Sequence, residues 1–330
     1  MICEFALEPE LVATWHDRKE FLFFEEKFGL KTGRIVSAYP KNWVAQVWKA
    51  FQNSPNGQNQ NAQRNLDALL RDLTQNMVKR RNTFPEILVW LDRTEAEHAE
   101  RPFYALLARE NPRGCAQVFS TERLVAEGHA RWVVPSHPPV VRNAGELVAA
   151  VAPMLRASRH IVFIDPYFDP TKQRFVVPMA AFLHEIWTNR YGTENPQVEL
   201  HTGMDRFFRE HERAQNRKLD EEKRVYSNLV HEMQRRLPKI IPTGKKVHVT
   251  IWKQRELGQK LHNRYILSEV CGVAFGIGLD QNDDQTASET DDLHMMDTAK
   301  LAARWQEYLG NPPAFDLVKS PFEIAGSLGG

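Results

Sequence analysis

Residues 261–280, LHNRYILSEVCGVAFGIGLD, alternate in side-chain character in a way that only a β-hairpin satisfies well. Successive side chains of a strand point to opposite faces. Leu261, Asn263, Tyr265 and Leu267 therefore share one face, while His262, Arg264, Ile266 and Ser268 share the other. Val273, Phe275, Ile277 and Leu279 then alternate with Ala274, Gly276, Gly278 and Asp280, giving a second strand with one bulky apolar face and one nearly bare face. A three-residue loop, Val270-Cys271-Gly272, would set Ser268 opposite Ala274 and His262 opposite Asp280. In that register the glycines lie across from Arg264 and Ile266 and leave room for a phosphate to approach the backbone.

These residue types fit phosphoryl chemistry. His262 offers a nitrogen nucleophile or a proton donor near neutral pH. Arg264, two residues on, keeps its charge and presents a planar fork matching two phosphate oxygens. Asp280 is expected to hold the imidazole in one tautomer. The competing reading is a half-exposed hairpin whose His and Arg are merely solvated.

The same segment resembles the phospholipase D-like, or HKD, superfamily, whose motif is HxK, four residues, then D. Here His262 matches, Arg264 stands for the lysine and Glu269 for the aspartate. The GIGLD run, Gly276 to Asp280, resembles the variant found in the domain that follows microtubule-interacting-and-trafficking domains, and in bacterial relatives carrying HDR and GLD. Upstream, Leu147 to Asp169, LVAAVAPMLRASRHIVFIDPYFD, is similar to the helix and first strand of a phospholipase D-like half, where a proline-tyrosine pair ends the strand beside the active site. The resemblance covers about residues 143–310 and departs from the family in its arginine and in its single motif.

The resemblance implies a fold and a reaction. The expected fold is α/β, an N-terminal α/β module followed by one phospholipase D-like α/β/α half. The expected reaction uses no metal and no cofactor: one histidine attacks phosphorus and a second, on the opposite side, protonates the leaving oxygen. With one motif per chain, a two-fold homodimer would bring in the second histidine. The residues expected to act are then His262, Arg264, Asp280 and Glu269, with substrate contacts from Asn263, Gly276, Gly278, Asp165, Tyr167 and Lys260. His16-Asp17-Arg18 echoes HxR, but no glycine-bearing strand follows it, and it reads as the start of a surface helix.

At 330 residues, 42% hydrophobic and 26% charged, the chain has the length of two ordinary globular domains. The expected division is 1–140 and 141–330, because PSHPPVVRN, Pro135 to Asn143, interrupts helix and strand and Asn143 can cap the next helix. In the first part, helical stretches (Pro9 to Phe28, Asn42 to Phe51, Asn61 to Lys79) alternate with strand candidates at Arg34 to Ala38, Glu86 to Leu91, Ala116 to Phe119 and Trp132 to Val134. Leu66, Leu69, Leu70, Leu73 and Met77 form a buried stripe in the third helix. Trp15, Trp43, Trp48 and Tyr39 could stack bases, although aromatics at helical spacing more often form core. FGLKTGR, Phe28 to Arg34, lacks P-loop spacing, and no nucleotide site is assigned there.

Three scattered cysteines and a start without a basic and apolar leader point to a reducing, cytoplasmic setting. No apolar run approaches the ~18 residues of a membrane span. A net charge of +1 hides an asymmetry, since Arg206 to Lys260 holds fifteen basic against seven acidic residues. Such a stretch either lines a polyanion groove or is a solvated helix stitched by its own pairs. The acid-rich stretch Asp283 to Asp297 reads as a solvated loop. Two functions follow: a metal-independent phosphodiesterase, foremost a bacterial nuclease cutting DNA or RNA in defence against foreign nucleic acid, or a non-catalytic module binding anionic phospholipid or another polyanion. The partners expected are nucleic acid, then anionic lipid, and a second copy of the chain; other protein subunits stay open.

Overall fold

The computed structural model describes residues 2–29, 32–75, 77–80, 84–85, 89–121, 130–132, 134, 139–190, 195–207, 219–269, 271–284 and 288–329. The chain divides into two compact units, Met1–Pro135 and Ser136–Gly330, and both are α/β.

In the first unit, β1 (Cys3–Leu7) runs through the centre of a parallel sheet with β2 (Arg34–Ala38), β3 (Val78–Lys79), β4 (Ala105–Leu107) and β5 (Val118–Phe119), in the order β3-β2-β1-β4-β5. Every residue of β1 is buried, as a strand covered on both faces requires. Cys3, Phe5 and Leu7 face the helices α1 (Pro9–Val12), α2 (Arg18–Lys27), α3 (Trp43–Gln52) and α4 (Gln60–Gln75). Ala6 faces the other way, toward Trp90 of α5 (Trp90–Glu100).

Glu4 is the one charge on β1, and it is matched from far along the chain. Arg80 donates to both its oxygens, at 2.7 and 2.9 Å, and to Glu97 at 3.0 Å, while its guanidinium lies 3.5 Å from the Phe103 ring centre. Charges this buried are costly unless so paired. Trp15, Trp43 and Tyr39 are fully buried, so they are core and not a stacking surface. Asp17 caps α2 by accepting the Lys19 amide at 2.9 Å.

Four expectations for this unit are corrected. The helix read over Asn61 to Lys79 spans Gln60–Gln75, so Met77 falls outside it and is half-buried, and Val78–Lys79 is the strand β3. The helical stretch from Pro9 breaks after Val12 and resumes at Arg18. In the segment read as a strand over 86–91, residues 86–88 lie outside the described residues and Trp90 already begins a helix. Ala130–Trp132 is a turn of 3-10 helix, with Val133 outside the described residues.

The second unit opens with β6 (Pro139–Val141) and α6 (Ala144–Ala157), whose cap is Asn143 accepting the Glu146 amide at 2.9 Å. There follow β7 (His160–Ile164), α7 (Gln173–Thr188), β8 (Gln197–Gly203), α8 (Leu219–Arg236), β9 (Lys246–Lys253), β10 (Arg264–Ser268), β11 (Gly272–Phe275), β12 (Thr290–Met295), α9 (Thr298–Leu309), β13 (Asp316–Leu317) and β14 (Phe322–Ala325). The sheet runs β13-β9-β8-β7-β10-β11-β12-β6, with β14 also on β9. β7, β8 and β9 are parallel, and β10, β11, β12 and β6 continue antiparallel. One face packs Val162, Ile164, Tyr265 and Leu267 under Tyr308 of α9. The other places Phe163 against Phe182 of α7 at 5.6 Å between ring centres.

This topology gathers loops at one edge. The carboxyl ends of the parallel strands β7, β8 and β9 meet the start of antiparallel β10 there, because Tyr265 pairs with Ile164. The end of β11 comes to the same edge, since Arg264 pairs with Phe275.

Candidate functional site

The hairpin register differs from the expected one. Leu267 pairs with Gly272 and the Ser268 amide donates to the Cys271 carbonyl at 2.7 Å, so Ser268 stands opposite Cys271 and not opposite Ala274 as the three-residue loop required. The pairing shifts by an odd number of residues, which reverses the face each partner presents. His262 and Asn263 precede β10, and Gly276 to Asp280 follow β11, so neither set is paired across the ladder.

Asp280 is therefore not the orienting partner of His262. It is buried, with Oδ1 accepting from Arg142 at 3.0 Å and Oδ2 lying 2.8 Å from Arg174. The glycines serve these internal carboxylates too. A Cβ at Gly278 would meet Asp280 Oδ1 at 2.2 Å, and one at Gly276 would meet Asp291 Oδ1 at 2.7 Å. Asp291 in turn accepts the Ile277 amide at 3.0 and 3.1 Å. The room beside both glycines is filled by the protein and not left for a phosphate.

Glu269 is also displaced from the expected site. It accepts the amides of Arg159 and His160, at 2.8 and 3.1 Å, and so pins the start of β7. That is the far end of β10 from His262, roughly 16 Å beyond Arg264 at strand rise. Asn263 is half-buried and is not among the residues that line the cleft described next.

What the structure does bring together is a cleft of about 260 Å³ lined by Pro166, Tyr167, Gly203, Asp205, Gln254, Lys260, Leu261 and His262. Its walls are the loops leaving β7, β8 and β9. Gly203 permits their close approach, since a Cβ there would lie 3.2 Å from the Pro166 carbonyl and 3.1 Å from Leu261. Gln254 ties the wall to the floor by accepting the Leu261 amide at 3.3 Å. His262 is exposed, and its Nδ1 lies 3.2 Å from the Lys260 carbonyl oxygen. A carbonyl can only accept, so this contact places a proton on Nδ1 and leaves Nε2 with the free lone pair when the ring is neutral. The Lys260 backbone thus takes the role expected of Asp280.

Arg264 stands beside the cleft with its guanidinium 4.3 Å from the centre of the Tyr167 ring. Beneath them Asp165 is buried and accepts the Tyr167 amide at 2.8 Å. Burial pushes its carboxyl up to about 6; Asp280 adds to the rise, while the Tyr167 amide and the Arg264 charge oppose it. Asp205, Gln254 and Gly203 were missed in the sequence. The signal for them is position, since each lies at or just past the carboxyl end of a parallel strand, where open α/β sheets collect ligands.

The basic stretch is largely self-paired. Lys223 meets Asp220, Arg224 meets Glu221, and Arg235 and Arg236 meet Glu232. Lys253 reaches Glu222 at 2.7 Å and Arg255 reaches Asp316 at 2.9 Å. Residues 208–218 lie outside the described residues. Of this stretch Lys260 lines the cleft. The acidic run is also more ordered than the expected solvated loop: Glu289 pairs with Arg142, Asp283 with Arg174, and Asp297 caps α9. Among the described residues no three His, Cys, Asp or Glu side chains converge as a metal site, and no helix is long and apolar enough to cross a membrane. Compared with models of protein families and with curated proteins, the chain matches none.

Proposed function

We propose that the second unit is a phosphodiesterase of the phospholipase D-like kind, acting on nucleic acid through His262. The observation that carries the reading is the exposed His262 beside Lys260, with Nε2 left as the nucleophilic atom by the Nδ1 contact to the Lys260 carbonyl. Nε2 attacks phosphorus, forming an N–P bond as one ester P–O bond breaks. Lys260 and Arg264 offset the charge on the phosphate oxygens. Water then cleaves the N–P bond and returns the free imidazole. His262 is the only histidine lining the cleft among the described residues, so the acid that protonates the leaving oxygen would come from a second copy across a two-fold axis. A role in defence against foreign DNA or RNA and a cytoplasmic setting belong to the same proposal.

The competing function is polyanion or anionic-lipid binding without turnover. It draws support from Asp280, which is committed to two arginines and gives His262 no carboxylate. One experiment separates the two: labelled single- and double-stranded DNA and RNA are incubated with the protein in excess EDTA, beside His262→Ala. The phosphodiesterase reading expects EDTA-resistant cleavage that the substitution abolishes. Binding without cleavage, or cleavage that survives His262→Ala, would contradict it.

A further inference from the structure

The sheet of the first unit reverses its direction of growth at β1. The chain builds β2 and β3 outward on one side, then crosses to add β4 and β5 on the other. In open parallel sheets the loops leaving the two central strands at such a point diverge, and a crevice opens at their carboxyl ends. A crevice of about 650 Å³ lies there, adjoining a second of about 430 Å³ that shares Glu10, Val89, Trp90 and Arg109 with it.

Two independent features make this crevice suited to an anion. Arg93 of α5 lines it with only 4% of its surface exposed, and its Nε and Nη1 have no hydrogen-bond partner among the described residues. No ion pair reaches it among the described residues, whereas the neighbouring Arg109 is matched by Glu8 at 2.9 Å and Arg113 by Asp92 at 2.8 Å. A buried unmatched guanidinium is costly, and a ligand anion would offset that cost. The 11-residue helix α5 also starts at the crevice without a side-chain cap, because Val89 has no acceptor to offer its first-turn amides. Helix N-termini favour anions through those amides and the helix dipole. Lys49 lines the crevice from α3. The turn after β1, Glu8-Pro9, has no glycine and opens a four-residue helix, so any phosphate would sit at α5 and not at the first strand-to-helix turn.

We propose that this crevice binds a small phosphate ester of nucleotide size, with the phosphate held by Arg93, Lys49 and the start of α5. Its volume lies within the range of small-molecule sites. Glu10 is the one carboxylate lining the larger crevice among the described residues and is placed to accept from ligand hydroxyls.

The test uses the full-length chain carrying Lys260→Ala, His262→Ala and Arg264→Ala, which removes the phosphate contacts proposed for the other unit. Isothermal titration with adenosine monophosphate, inorganic phosphate and acetate is expected to show one site per chain for the first two and none for acetate. Arg93→Gln should weaken adenosine monophosphate by roughly tenfold or more, as loss of a charged hydrogen-bond donor does. Lys49→Glu, on an exposed position, should weaken it severalfold. If Arg93→Gln fails to fold by circular dichroism, Lys49→Glu decides alone. Absence of binding at millimolar concentration, binding unchanged in the variants that fold, or acetate binding as well as phosphate would each overturn the proposal.

Discussion

The guanidinium of Arg264 lies 4.3 Å from the centre of the Tyr167 ring, which ties the first residue of β10 to the loop leaving β7. The ring face holds the cation beside the cleft without neutralising it, unlike a carboxylate partner. Tyr167→Leu keeps the charge but releases its position. Oligonucleotide binding, followed by fluorescence anisotropy in EDTA in a His262→Ala background, should weaken by about 1 kcal/mol, roughly fivefold. Arg264→Ala should weaken it more. Equal binding by all three proteins would remove Arg264 from the phosphate site.

Asp280 is expected to act on stability and not on chemistry. It is buried between Arg142 and Arg174, and removing its side chain leaves Arg142 with Glu289 as its one carboxylate partner among the described residues. Breaking such a pair costs about 3–5 kcal/mol. Denaturant unfolding of Asp280→Ala should show a loss of that order. If the variant keeps its stability and loses cleavage, the orienting role read from the sequence would be restored.

Asp165 gives a stability change of opposite sign. Its folded carboxyl titrates at about 6, above its ordinary value of 3.8, so the folded state binds more protons between those values. Stability from this group is therefore present at low pH and lost as pH rises from about 4 to about 6. Asp165→Asn, which can still accept the Tyr167 amide, should stabilise the protein at pH 7 by roughly 1–3 kcal/mol and change little at pH 3.5. Thermal melts at the two pH values check this, and a larger gain at the lower pH would contradict it.

The strands of the hairpin were legible because alternation at Tyr265 to Leu267 and Val273 to Phe275 needs no information beyond its neighbours. Their register was not. A two-residue and a three-residue turn leave the pattern within each strand identical, and the choice between them decides whether Asp280 can oppose His262. The partners of Asp280, Arg142 and Arg174, lie more than a hundred residues away in sequence and carry no local sign of the pairing. β1 was missed for a related reason, since Glu4 interrupts an otherwise apolar run and is made tolerable by Arg80 and Glu97. The cap at Asn143 and the helix start at His16-Asp17-Arg18 were readable, because a cap is a contact within three residues. So was the stripe Leu66, Leu69, Leu70 and Leu73, buried as its spacing requires.

The central claim is that Nε2 of His262 attacks phosphorus, and the covalent intermediate tests it most directly. Protein mixed with an oligonucleotide in EDTA, quenched without acid and digested, should yield by mass spectrometry a peptide carrying a phosphoryl ester on His262. The adduct should be absent from His262→Ala and should diminish at acidic pH, where a protonated imidazole cannot attack. Cleavage that proceeds with no adduct on His262, or with an adduct on another residue, would contradict the account.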